Sequence, residues 1–451
     1  MTDTIERVFR AYDVRGIYGK ELTEEVAEVI GKAFGTYLEE GETIVVGRDV
    51  RLSGEPLQKA LMEGICSTGC NVIDIGVLPT PTFYFSIIHY ETDGGVMVTA
   101  SHNPAEWNGF KFCIEKGVML AEGLGLEKVK EIALNKRFRS GGKGRVERRE
   151  DAVKVYSDFI LGKINVEGRL KVAIDAGNGA CSGVASRLFR EAGVDVIALN
   201  DEPDGRFPAH KPEPTGETLR DLIEVVVEEE ADFGIGYDGD GDRAVFVDDR
   251  GRMIPGDVAL IIMARHYLKG KPGTVVYDIS CSMAVEEAIR EMGGRPLVSR
   301  VGRAYLTNTI RRENAVLGGE LSGHLYFADV YGFDDALYGG LKMAELLSKE
   351  DRRLSQIVDS IPKYPATPNI VYECPDDLKF KVVDQLAEEF AEMGYETITI
   401  DGVKVISSEG WFLIRASNTL PQIKMRAEAK NEEKLRELVE LAERKIKEEI
   451  G

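Results

Sequence analysis

The sequence predicts an α/β protein made of three related α/β units, followed by a smaller α+β unit at the C-terminal end. Three stretches carry that expectation: TIVVGRDVRLSG at 43–54, KVAIDAGNGACSG at 171–183 and TVVYDISCSMA at 274–284. Each is a β-branched run that ends in a polar loop containing aspartate and passes into a helical pattern. Strand, loop and helix repeated at this scale place binding loops at the carboxyl ends of parallel strands. The tail differs. A helix-like DLKFKVVDQLAEEFAEMG at 377–394 precedes short strands ending in GWFLIRASNT and PQIKMRAEA, then a charged terminal helix. In the last of these strands Ile423, Met425 and Ala427 alternate with Lys424, Arg426 and Glu428, the period of a half-buried strand.

At 451 residues the chain has room for about three or four domains, since single cores rarely grow past roughly 250 residues. Glycine-rich or charged stretches at 135–151, 248–257 and 361–369 read as linkers, dividing the chain at 1–150, 151–252, 253–362 and 363–451. With 43% apolar and 30% charged residues it reads as an ordinary soluble protein, and no unbroken run of about 18 apolar residues offers a membrane span. The opening MTDTIERVFRAYDVRG has acidic residues early and no apolar stretch, so the expected location is the cytoplasm. Cys66, Cys70, Cys113, Cys181, Cys281 and Cys374 form no CxxC pair, which points away from zinc and from a disulfide framework. Cys66 and Cys70 are expected as core thiols on one helix. Seventy-seven acids against 57 bases give a net charge of −20, which argues against nucleic acid or an anionic membrane as partner. An anionic substrate would need a locally basic cleft.

Four clusters carry chemistry. In VTASHNPAEWNG, 98–109, Ser101 stands beside His102 where an apolar run gives way to a loop. Neighbours on an extended chain point to opposite sides, so His102 is expected to be badly placed to take a proton from Ser101, and the GxSxG elbow is absent. A serine there could carry a phosphoryl group, given a metal and cations nearby. YDGDGDRAVFVDD, 237–249, sets Asp238, Asp240 and Asp242 at every second position, with glycines that let the three carboxylates turn to one centre. Hard oxygen ligands of this kind suit Mg²⁺. A calcium hand would need glycine and glutamate where Arg243 and Asp249 stand, and a solvated acidic turn is the bland alternative. In GGELSGHLYF, 318–327, Glu320, Ser322 and His324 alternate and could face one side of an extended loop to bond sugar hydroxyls; a histidine of this type is also a common structural hydrogen-bonder. In IRASNTLPQ, 414–422, Arg415, Ser417, Asn418 and Thr419 could cradle a phosphate or form a plain polar turn.

Taken in order, VTASHNPAEWNGFK, DGDGDR, GGELSGH and RASNT resemble the active-serine, metal, sugar-binding and phosphate-binding loops of the α-D-phosphohexomutases, in particular the phosphomannomutase/phosphoglucomutase branch. FRAYDVRG at 9–16, GRDVRLSG at 47–54 and DGRFPAHKPEP at 204–214 match further family segments, so the resemblance spans almost the whole chain. It implies three related α/β domains with mixed sheets and a smaller α+β C-terminal domain around a central active-site cleft. It also implies reversible phosphoryl transfer between the 1- and 6-positions of mannose or glucose phosphate, through a phosphoserine at Ser101 and a hexose 1,6-bisphosphate that also serves as activator. Mg²⁺ would be held by Asp238, Asp240, Asp242 and the phosphate on Ser101. Glu320 and Ser322 would bind sugar hydroxyls, with His324 at the reacting end. Arg415, Ser417, Asn418 and Thr419 would hold the nonreacting phosphate, while Arg15, Lys111 and Arg243 match residues near the phosphoserine.

Two departures stand out. Ser280 and Arg303 lie where bacterial dual-specificity members carry a phosphosugar-binding lysine and histidine, and Leu321 does not settle the substrate. Arg303 is expected to meet phosphate. The rival readings are a phosphoglucosamine mutase, a Mg²⁺-dependent sugar phosphatase and a phosphosugar-binding regulator. Monomer and homodimer are both compatible with the sequence, and the last domain is expected to close over substrate about the 361–369 linker.

Overall fold

The chain folds around four β-sheets, described here from a computed structural model that covers residues 2–417 and 420–450. The first sheet runs Val14–Ile17, Trp107–Ile114, Gly94–Val98, Thr43–Arg48, Asn71–Val77 and Val146–Arg148, with Val118–Met119 paired to the side of Trp107–Ile114. Its centre is parallel, and the strand Trp107–Ile114 turns back antiparallel on Gly94–Val98. Thr43–Arg48 is apolar without alternation because helices cover both faces: Ile44 and Val46 join one core and Val45 the other.

The second sheet orders Met253–Ile254, Ala244–Asp248, Phe233–Tyr237, Lys171–Asp175 and Asp195–Leu199; the third orders Arg295–Ser299, Thr274–Asp278, Leu317–Gly319 and Leu325–Phe327. Met253–Ile254 therefore pairs in the second sheet, on the far side of the 252/253 division drawn from sequence. The three sheets share one construction. A strand parallel to its neighbour (Gly94–Val98, Phe233–Tyr237, Leu317–Gly319) ends in a loop and is followed by an antiparallel strand. Those three loops are the ones that hold Ser101, the aspartates and Glu320 to His324. The aspartate-bearing loops at 49, 175 and 278, which reveal the repeat in the sequence, are the neighbouring connections.

One apolar core, including Phe83, Phe189, Tyr237, Leu260 and Tyr338, runs continuously through these three units. The fourth sheet is wholly antiparallel, ordered Ile370–Glu373, Gln422–Ala429, Gly410–Ala416, Val403–Ser407 and Glu396–Ile398. Helices Lys379–Glu392 and Glu432–Ile450 cover one face and form a separate core with Ile423, Met425 and Ala427. Its other face meets the third unit: Trp411 and Leu413 pack on Ile279, Lys404 Nζ donates to the Ile279 carbonyl at 2.9 Å, and Arg426 donates to the Ser280 carbonyl at 2.7 Å. Glu428, expected on a solvated face, is buried because it accepts from the Met283 amide at 2.7 Å and from Trp411 Nε1 at 3.1 Å.

All six cysteines are free and buried. The helix Gly54–Cys66 ends at Cys66, so Cys70 lies beyond it, yet both thiols are in the core. Among the described residues no helix is long and apolar enough to cross a membrane.

Candidate active site

The three equivalent loops converge. Ser101 is only 2% exposed, and its Oγ donates a 2.7 Å hydrogen bond to Asp238 Oδ2. The approach is close enough to demand glycine at 239, where a Cβ would stand 2.5 Å from the Ser101 carbonyl oxygen. The expectation that Ser101 and His102 point apart is corrected. Ser101 leaves the extended conformation for the left-handed region at φ 50°, which brings its Oγ to 3.4 Å from His102 Nδ1. Electrostatics, not distance, disqualifies the pair: burial, followed by Arg243 and Arg15, pushes the His102 pKa down to about 2, so this imidazole is a poor proton acceptor.

Asp238, Asp240 and Asp242 are fully buried, and ligand oxygens from the three lie within 4.8 Å of one another. Asp240 Oδ2 accepts from Thr80 at 2.6 Å and Lys111 Nζ at 2.6 Å, with Thr99 Oγ1, whose shorter contact is to Asp49, 3.0 Å away; Asp242 Oδ2 accepts from Lys111 at 2.5 Å and Arg303 at 3.1 Å. Burial, with Asp242 and Asp240 beside it, pushes Asp238 up to about 7. Burial acts on the other two in the same sense, but Lys111 overrides it and holds Asp240 below the usual carboxylate range. Lys111, His324, Arg303 and Arg243 together hold Asp242 well below that range. Asp240 Oδ1 and Asp242 Oδ1 are buried with no hydrogen-bond partner among the described residues. Buried carboxylate oxygens left in that state are costly unless a cation meets them, so the donor set fits a hard divalent ion.

Glu320 is buried, accepting from Tyr326 OH and from the Gly302 amide at 3.3 Å, and burial raises its pKa. Ser322 is exposed at the cavity wall. His324 Nε2 accepts from Arg243 Nε at 2.9 Å, which places the imidazole proton on Nδ1, 3.1 Å from the Asp242 carbonyl and 2.9 Å from Asp334 Oδ2. Burial opposes a charged ring, yet Asp242, Asp334 and Glu320 raise the His324 pKa overall. Asp242, His324 and Asp334 also come within 4.8 Å as a possible ligand set, but a protonated Nδ1 has no lone pair for a metal. Arg303, expected to meet phosphate, lines the cavity while its NH1 bonds Tyr84 OH at 3.2 Å and Asp242 at 3.1 Å. Ser280 is engaged by Asp278 and, through its carbonyl, by Arg426.

These loops open on a cavity of about 560 Å³, a size suited to a small ligand, whose wall includes Arg10, Arg15, Ser101, Arg243, Arg303 and Glu320. In a chain of net charge −20, four arginines on one cavity wall make the locally basic cleft an anion requires. Arg15 is braced there by Asp13 at 2.8 Å and by the Ala100 carbonyl and Asn103. The fourth unit reaches the cavity through Leu420. Arg415 stands back, with NH2 on Asp401 Oδ2 at 2.7 Å; Ser417 is buried, and Asn418 and Thr419 lie outside the described residues. Sequence reasoning assigned no role to Thr80, Thr99, Asp334 or Asp401. Only their placement against residues far along the chain reveals them.

Family models match the chain from end to end: phosphoglucomutase/phosphomannomutase alpha/beta/alpha domain I over 6–140, domain II over 154–251, domain III over 255–364 and the C-terminal domain over 372–445. The chain belongs to the phosphoglucomutase/phosphomannomutase family. A phosphoglucomutase/phosphomannomutase of Thermococcus kodakarensis is 38% identical over 98% of this chain and 99% of its own length. A probable phosphoglucosamine mutase of Methanopyrus kandleri is 39% identical over 96% of each. The crystal structure of a phosphoglucomutase/phosphomannomutase family protein from Burkholderia thailandensis superimposes with a TM-score of 0.91 at 34% identity, covering 98% of both chains. Within this phosphoglucomutase/phosphomannomutase frame, domain I holds Ser101 and Lys111, domain II the aspartates and Arg243, domain III Glu320 to His324, and the C-terminal domain Arg415.

Proposed function

We propose that this phosphohexose mutase moves a phosphoryl group between the 1- and 6-positions of a hexose phosphate, with Ser101 as carrier and a hexose 1,6-bisphosphate as intermediate and activator. The observation that carries the reading is the 2.7 Å bond from Ser101 Oγ to Asp238 Oδ2, which seats a buried hydroxyl on the rim of a three-carboxylate cluster. Asp238, Asp240 and Asp242, with an oxygen of the phosphate on Ser101, would hold Mg²⁺, which supplies charge neutralisation to the transferring group when bound.

The chain's own residues do the rest. Arg15 and Arg243 line the cavity beside Ser101 and offset phosphate charge, and Lys111 stands at the inner side of the cluster. A sugar hydroxyl oxygen attacks the phosphorus on Ser101, the phosphorus–Oγ bond breaks, and the hydroxyl proton passes to His324 Nε2 as Arg243 turns to phosphate. Asp334 beside Nδ1 favours the ring that has taken that proton. Glu320 and Ser322 bind sugar hydroxyls in either orientation, and Arg415, Ser417, Asn418 and Thr419 hold the other phosphate. The bisphosphate turns over in the cleft, Ser101 Oγ attacks its second phosphorus, the phosphorus–sugar oxygen bond breaks, and the released sugar oxygen takes the proton back from His324 Nε2. Arg303 acts here on Asp242 more than on substrate.

Mannose and glucose phosphates are the substrates of this reading. Glucosamine phosphate is the second candidate, supported by the Methanopyrus kandleri relative. Mass spectrometry after incubation with glucose 1,6-bisphosphate is expected to find one phosphoryl group, on Ser101, and S101A is expected to lose nearly all mutase flux. Phosphate confined to another residue would sink the Ser101 mechanism, and release of free phosphate with no isomer would replace it with a phosphatase. Parallel assays on mannose, glucose and glucosamine 1-phosphates choose the sugar.

A further inference from the structure

Arg51 is 1% exposed and spends every donor it has. A guanidinium offers five N–H groups in a rigid plane. Here Nε donates to Asp49 Oδ2 at 3.0 Å, NH1 to the carbonyls of Pro104 at 2.6 Å and Trp107 at 3.0 Å, and NH2 to those of Ser101 at 2.8 Å and Asn103 at 2.6 Å. Four carbonyls of the active-serine loop are thus gathered on one side chain. The same Asp49 oxygen accepts from Thr99 Oγ1 at 2.7 Å, and Thr99 Oγ1 in turn accepts from the Ser101 amide at 2.9 Å. The left-handed turn at Ser101, uncommon for a residue with a side chain, is therefore held from both its amide and its carbonyl.

Domain II covers the clamp. The Phe207 ring lies 5.1 Å from the Arg51 guanidinium carbon, and Phe207 is itself left-handed at φ 51°. Gly205 comes so near that a Cβ would stand 2.3 Å from the Val50 carbonyl oxygen. The 204–207 turn is thus built against Val50 and Leu52 on either side of Arg51, and the Phe207 ring lies over the cation.

We propose that Arg51 is a positioning residue for phosphoryl transfer, holding the Ser101 loop in its strained turn and tying that turn to the seating of Phe207 from domain II. The inference rests on Ser101 being the phosphoryl carrier. Lysine at 51 would keep the charge opposite Asp49 but, with three donors on one nitrogen, would leave at least two of the five acceptors unpaired.

The test is single-turnover transfer from glucose 1,6-bisphosphate to dephosphorylated Ser101, with steady-state KM and thermal midpoint measured on the same samples. R51K is expected to slow transfer by about 100-fold, the scale of a misplacement near 1 Å, with KM within about threefold. F207L is expected to slow it by roughly 2- to 10-fold with KM unchanged. R51K that is merely less heat-stable, transferring at the wild-type rate below its midpoint, overturns the inference. Should R51K not fold, F207L decides, and an unchanged rate overturns it. A wild-type chain that never phosphorylates Ser101 fails the carrier reading instead, and this inference with it.

Discussion

Arg415 NH2 lies 2.7 Å from Asp401 Oδ2. That carboxylate also accepts from the Val301 amide at 3.1 Å, and Val301 lines the cavity, so Asp401 joins Arg415 to the wall of domain III. Arg415 Nε is buried with no hydrogen-bond partner among the described residues, leaving half of the fork for a second anion. R415A is expected to raise KM for hexose phosphate by about 10- to 100-fold with a smaller change in kcat, the size of one lost charge-assisted bond. Steady-state kinetics on glucose 1-phosphate check this. A fall in kcat at constant KM would assign Arg415 to the reacting end.

Chelation of divalent ions is expected to abolish isomerisation, and Mg²⁺ to restore it, because Asp240 Oδ1 and Asp242 Oδ1 are buried without partners. D240N is expected to weaken Mg²⁺ activation while leaving the helical circular dichroism intact. A solvated acidic turn would make both treatments silent.

Asp335 supplies a pH signature from outside the three-carboxylate cluster. It caps the helix Ala336–Ser348, accepting from the Tyr338 amide and from Tyr156 OH, both at 2.8 Å. Burial nevertheless pushes its carboxyl up to about 7 from an ordinary 3.8. Between those values the folded chain keeps a proton that the unfolded chain has released, so stability from this group falls as pH rises through that window. Relative to D335N, the wild-type thermal midpoint is expected to fall from pH 5 to pH 8. Calorimetry showing a wild-type advantage that grows with pH would contradict the assignment.

Trp411 locks the fourth domain to the third. Its ring packs with Leu413 against Ile279 under Lys404 Nζ, 3.9 Å from the ring centroid. W411A is expected to cost about 3–5 kcal/mol, the range for emptying a large aromatic site. Faster proteolysis of the 361–369 segment, slowed again by substrate, is the expected companion result. A variant cleaved at the wild-type rate would show that this face does not restrain the domain.

Local pattern made part of this protein legible. The buried β-branched run at Thr43–Arg48 and the alternation of Ile423, Met425 and Ala427 follow from side-chain periodicity, which needs no partner to be read. The same reasoning failed at Glu428, because a period of two says which face a residue takes but not whether another domain covers that face. It failed at Ser101 too: extended geometry separates neighbours, and a single left-handed φ undoes the separation.

By itself the sequence determined the α/β units, the family resemblance and where the four candidate loops lie, since each is a contiguous stretch whose residue types and spacing carry the signal. Tertiary structure decided what those loops do to one another. Asp238 meets Ser101 across 137 positions, Lys111 sets the charge of Asp240 and Asp242, Arg303 turns inward to Asp242, and Arg415 waits on Asp401. Charge balance and burial depend on distances through space, and no spacing along the chain encodes them.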